Sequence, residues 1–183
     1  MQSSANPASP AISRLSVRVA ALLTAVLLVL PPGLVAYVWL APEQIVNWGG
    51  VAMADFPPRP LEGVAFLAVA GVLLVYAGPV VWGFWELRAL FRGYARGEIF
   101  CPSAAVRLRH CALAMVALAV AGPVTTVALS LALSVGLPEG SRHVVIGIHG
   151  EDLGFAIIGL AVLVIARVLG EAARLARENA EFV

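Results

Sequence analysis

The chain has 183 residues, of which 61% are hydrophobic and 13% charged, against roughly 45–50% and 25% in soluble domains. That balance excludes an ordinary soluble fold and places one domain in the membrane class. The net charge of +1 says little by itself, because all twelve basic residues are arginine and they are unevenly placed.

Residues 1–13 are small, polar and proline-containing, too poor in apolar surface to offset the entropy of ordering, and are expected to form a disordered tail. Residues 14–183 are expected to form a single four-helix transmembrane domain. Its first span, about 17–41, exceeds the roughly 20 apolar residues needed to cross a bilayer. Arg14 and Arg18 before that run, with Ala52-Met53-Ala54 after it, also suggest a signal peptide, but the apolar run outlasts a typical h-region of about 7–15 residues. Pro31-Pro32-Gly33 falls within the span, where the missing backbone donors predict a kink or a local break.

The stretch 42–60, with Glu43, Asp55, Arg59 and flanking Trp39 and Trp48, reads as a loop leaving through an aromatic belt. The second span, 61–85, ends at Trp82 and Trp85, with a bend expected at Gly78-Pro79. A polar loop, 86–110, separates it from the third span, 111–136, which holds Gly122-Pro123. Polar character returns over 137–152, and Asp152 is placed to cap a short fourth span, 153–168, with Arg167 snorkelling to the interface. Residues 169–183 are expected to form a separate C-terminal helix.

Ten arginines (Arg14, Arg18, Arg88, Arg92, Arg96, Arg107, Arg109, Arg167, Arg174 and Arg177) flank the spans on one side, against Arg59 and Arg142 on the other. The positive-inside rule then puts both termini and the central loop in the cytoplasm. Cys101 and Cys111 fall on that side, where thiols are normally reduced.

None of the four expected spans carries a central ionisable residue, the usual mark of a transport path or an intramembrane enzyme. Thr24, Tyr37, Tyr76, Thr125, Thr126, Ser130 and Ser134 read as packing hydroxyls that bond backbone carbonyls. His143 and His149, beside Glu151 and Asp152, lie roughly 20 Å apart if the segment between them is a strand, so no metal site is expected. His110 and Cys111 point about 100° apart on a helix and do not make a nucleophile and base. Without a phosphate loop, carboxylate pair or nucleophile elbow, neither catalytic residues nor a cofactor are expected, and the chain is not read as an enzyme.

Within the central loop, Leu87, Leu90, Phe91 and Tyr94 recur at helical spacing beside a basic stripe of Arg88, Arg92 and Arg96. The second helix should therefore run past the membrane to a stop at Gly97. Cys101 should precede Pro102 at the first position of the next helix, making a helical hairpin. In the C-terminal helix Val168, Ala172, Leu175 and Phe182 form one stripe, while Arg167, Glu171, Arg174, Glu178 and Glu181 are spaced for ion pairs. The Leu87-to-Tyr94 face is the nearest candidate to cover that stripe.

The pattern L-x-x-L-F-x-x-Y-x-x-G-x-I-F from Leu87 to Phe100, with R-L-A-R-E-N-A-E-F-V at the C-terminus, resembles a bacterial membrane family, domain of unknown function 2975, over about 17–183. The resemblance implies a four-helix, multi-pass protein of the bacterial cytoplasmic membrane, often encoded beside a small helix-turn-helix regulator. The expected function is thus a membrane-anchored regulatory or interaction protein. Its partner or lipid contacts would involve Leu87, Arg88, Leu90, Phe91, Arg92, Tyr94, Arg96, Gly97, Phe100, Arg174, Glu178, Asn179 and Phe182. Anionic headgroups are the other partner for the arginines, which lie too near the membrane for a DNA duplex to approach. The alternative is a small transporter or lipid-binding bundle that opens at the kinks at Pro31, Pro79 and Pro123.

Overall fold

A computed structural model describes residues 10–41, 63–98, 101–135 and 144–181. It contains four long helices: α1 (Pro10–Leu40), α2 (Gly63–Ala95), α3 (Pro102–Ser134) and α4 (Gly150–Glu181). Each holds an 18-residue window of mean hydropathy 2.1 to 2.4. At about 1.5 Å per residue all four are long enough to cross a hydrocarbon core of about 30 Å. The chain is a multi-pass, all-helical membrane protein.

The helices pack chiefly on their chain neighbours, α1 on α2, α2 on α3 and α3 on α4. They form a row with α1 and α4 at its edges. The starts of α1 and α3 and the ends of α2 and α4 share the arginine-rich end. At the far end Val38, Val69, Leu73, Leu129, Ala132 and Leu133 join α1, α2 and α3 in one apolar cluster.

Small residues, not large ones, occupy most of the contacts. On α4 the buried positions Asp152, Gly159, Ala166 and Ala173 recur every seven residues, and on α3 buried Ala105, Ala112, Thr126 and Leu133 fall on the same repeat, with half-buried Ala119 completing it. A seven-residue repeat keeps one seam of a helix facing its neighbour. Leu28, Val75, Leu160 and Val164 instead face outward, as expected where lipid is the solvent and close backbone approach drives association. A Cβ at Gly159 would sit 2.9 Å from Val116 Cγ2 and 3.1 Å from the Ala112 carbonyl oxygen. Gly83 crosses α3 as closely, its notional Cβ 3.1 Å from Ala114 Cβ.

Several expectations change. Helix α1 begins at Pro10, inside the stretch assigned to a tail. It runs through Pro31 and Pro32 without the local break allowed there; Pro79 and Pro123, where bends are expected, also lie within continuous helices, which a bend does not interrupt. The C-terminal helix is not separate: α4 is one helix from Gly150 to Glu181, because no residue between Val168 and Glu181 forces a stop. It packs on α3, with Gly170 beside Ala105, so the Leu87-to-Tyr94 face of α2 is not its cover. The 42–60 loop, with Ala52-Met53-Ala54, lies outside the described residues, as do His143, Phe100 and Phe182.

Candidate functional site

The hairpin at the arginine-rich end is built by its own backbone. Helix α2 stops where Gly97 takes a φ of 85°, a left-handed conformation that glycine adopts without steric cost. The Gly97 N–H donates to the Tyr94 carbonyl at 3.1 Å and the Glu98 N–H to the Gly93 carbonyl at 3.1 Å, the paired bonds of a Schellman stop. Cys101 then occupies the N-cap of α3 with Pro102 following it. The Cys101 thiol contributes no cap bond; it donates to the Glu98 carbonyl at 3.3 Å and meets Ser103 Oγ at 3.0 Å.

The basic stripe divides into different roles. Arg88 turns toward α1, donating from Nε to Thr24 Oγ1 at 2.7 Å while its guanidinium lies 5.3 Å from the Trp85 ring centroid. Thr24 in turn donates to the Ala20 carbonyl. Arg96 forks onto Glu98 with two contacts of 3.1 Å. That bond holds the Glu98 carboxyl below, and the Arg96 guanidinium above, its ordinary range. Arg92 is exposed. Of the apolar face, Leu90 is buried, Leu87, Phe91 and Tyr94 are half-buried, and Phe91 meets Tyr94 edge-on at 5.9 Å.

A clasp at Glu86 locks α2 to α3. Its carboxylate lies 3.5 Å from Arg107 and 3.2 Å from His110 Nδ1, with only 16% of the side chain exposed. One turn away the Cys111 thiol donates to the Gly83 carbonyl at 3.7 Å. Arg107 and His110 stand three apart on α3, the spacing that places two side chains on one helix face. Glu86, Arg107 and His110 are not among the residues expected to form the site: the spacing of Arg107 and His110 is visible in the sequence, but nothing there pairs them with Glu86.

At the C-terminal end Arg174 bridges Glu171 at 2.9 Å and Glu178 at 3.8 Å, as the spacing predicts. Asn179, Val168 and Leu175 are exposed. The structure thus brings the hairpin residues together but keeps Arg174, Glu178 and Asn179 on a helix that packs on α3 instead of α2.

A second polar cluster forms where α4 begins. The His149 carbonyl accepts the Asp152 and Leu153 N–H groups, so His149, not Asp152, occupies the N-cap. Asp152 is the third helical residue and reaches back, its Oδ2 accepting the His149 N–H at 2.8 Å with His149 Nδ1 3.7 Å away. This is the acidic half of a capping box. Asp152 is 7% exposed and lies on Gly122 of α3, where any Cβ would overlap its carboxylate.

By that contact α4 starts beside Gly122, about 18 Å short of the end of α3 at Ser134. Residues 144–149 fill the interval without regular secondary structure. Val144, Ile146 and Ile148 face outward while Val145, Gly147 and His149 face inward, the alternation of a strand. Ser130 Oγ accepts the Val145 N–H at 3.1 Å. An ionisable pair, His149 and Asp152, just before the expected span 153–168, therefore sits beside Gly122 within the length of α3. Non-helical backbone at such depth must rest on protein or line a cavity, and here α3 supplies the support. The hydroxyls of Thr126, Ser130 and Ser134 bond backbone carbonyls of their own helix as expected.

Residues 9–183 match the family described as protein of unknown function (DUF2975), and the chain belongs to that family. No curated protein and no solved structure matches it.

Proposed function

Starting from membership of this family, we propose that the chain is a membrane-anchored interaction protein of the bacterial cytoplasmic membrane. In this reading its arginine-rich end faces the cytoplasm and α4 presents its last turns to a cytoplasmic protein, a helix-turn-helix regulator being the partner class that the resemblance implies. One observation carries it: Gly170 lies beside Ala105, close to the start of α3 at Pro102, so α4 overhangs the hairpin from about residue 174 onward, by about 12 Å. The overhang exposes Leu175 (53%) next to Arg174, Glu178 and Asn179, apolar and charged groups on one free helix end. Photoreactive residues at Leu175 and Asn179 in native membranes should capture a discrete cytoplasmic protein that the same probe at lipid-facing Leu160 does not. Identical products from all three positions would refute the proposal.

A small transporter is the second reading, favoured by the buried Asp152 with His149 beside Gly122. Ionisable groups at membrane depth serve proton relays and ion paths. Proteoliposomes loaded with a pH-sensitive dye test it: wild type should dissipate an imposed proton gradient and Asp152→Asn should not. Equal dissipation by both, or none by either, rules this reading out.

A further inference from the structure

Between α1 and α2, at the arginine-rich end, runs a groove of about 450 Å³ lined by Val17, Ala20, Ala21, Thr24, Arg92, Ala95 and Arg96. We infer that this groove is a binding site for one anionic glycerophospholipid, with the headgroup phosphate between Arg92 and Arg96 and an acyl chain along the alanine floor. The inference goes beyond the proposed function; it requires only that these helices span a bilayer, and it holds whichever face that end occupies.

The floor is open because Ala20, Ala21 and Ala95 carry no more than a methyl group. Ser13 Oγ donates to the Ala95 carbonyl at 3.3 Å, and Arg88 reaches Thr24 across the same pair of helices. These two bonds fix α1 against α2 below and above the groove, so its walls are held without a ligand. Arg88 turns to Thr24 and Trp85, whereas Arg92 and Arg96 line the mouth; Arg96 also carries the exposed pair with Glu98, which a bound phosphate would share or displace. The register set by Ser13 and Ala95 puts exposed Arg14 and Arg18 of α1 within about one turn of the heights of Arg96 and Arg92.

Helix α1 carries no acidic residue, and Glu98, paired with Arg96 in an exposed contact, is the acid that competes for that guanidinium. A cationic mouth over an apolar floor matches an amphiphile with an anionic head. It offers a zwitterionic head no comparable net attraction. The same mouth has the chemistry to take free phosphate, which lacks a tail to use the floor.

Native mass spectrometry of the full chain released from mild detergent distinguishes these sources. Phosphatidylglycerol should bind as one saturable equivalent, whereas phosphatidylcholine and inorganic phosphate should bind at least about tenfold more weakly. Arg92→Gln with Arg96→Gln should weaken phosphatidylglycerol binding by about tenfold or more, and Arg174→Gln with Arg177→Gln should leave it unchanged. Ala21→Leu keeps every charge and fills the floor, so it should also weaken binding, with helicity by circular dichroism confirming that each variant folds. Equal binding of phosphatidylcholine, phosphate binding as tight as the lipid, or indifference to both groove variants would overturn the assignment.

Discussion

Glu86 illustrates how much one side chain can hold when it lies between helices. Its carboxylate is mostly covered and contacts two potential cations from α3, so removing its charge leaves Arg107 without its counter-ion and breaks the α2–α3 clasp. Glu86→Gln should lower stability by about 1–2 kcal/mol, well under the cost of breaking a fully buried pair, because Arg107 still reaches solvent. Thermal unfolding in detergent checks this, and combining it with Arg107→Gln should cost less than the sum of the two single changes. The Arg96–Glu98 contact behaves differently, being exposed. With the Glu98 carboxyl lowered by its bond to Arg96, the contact is intact above the ordinary carboxylate range and is lost only as pH falls through the lowered value. A carbon-detected NMR titration should therefore show Glu98 protonating below the ordinary carboxylate range, and Arg96→Gln should abolish that lowering. Gly97 and Pro102 were legible in the sequence, since a left-handed stop and a first-turn proline each suit very few residue types. Glu86 was not, because an acid beside many arginines reads as surface charge until α3 is laid against α2.

Among the elements, α4 departs most from what its sequence suggests. Hydropathy marks Leu153 to Val168 as its membrane segment, yet the helix begins at Gly150 and runs to Glu181. What fixes it is a seam of small residues, Gly159, Ala166 and Ala173, that a search for large apolar residues passes over. In water the large side chains mark the packed face; in lipid they gain nothing by turning inward, and the small residues mark it instead. Gly159→Leu should force α4 away from Ala112, Met115 and Val116 and cost about 2–4 kcal/mol through overpacking. Leu160→Ala, one residue away on the exposed face, should stay within about 0.5 kcal/mol. Equal losses in thermal unfolding would show that the seam does not carry the contact. The start of α4 was hidden for a related reason. The alternation Val144 to His149 next to a polar stretch reads as an outer loop, and its contacts with α3, Val145 on Ser130 and Asp152 on Gly122, reveal that it runs down the side of that helix.

At the scale of the molecule, four spans and their antiparallel order were legible from apolar run lengths and the clustering of arginines, because both follow from the thickness and dielectric of a bilayer. The order of packing was not, since nothing in a linear pattern distinguishes a row from a closed bundle. The row leaves α1 and α4 at its edges, α1 beside the arginine-lined groove and α4 with its free overhang, so each edge has its own candidate partner. Both the interaction role and the partner class depend on the arginine-rich end lying in the cytoplasm. Cys101, at the turn of the hairpin, reports that directly. In a Cys111→Ser background, a membrane-impermeant maleimide should label Cys101 in inverted membrane vesicles and leave it unlabelled in intact spheroplasts; labelling of Cys101 in intact spheroplasts would contradict the proposed orientation and, with it, a cytoplasmic partner.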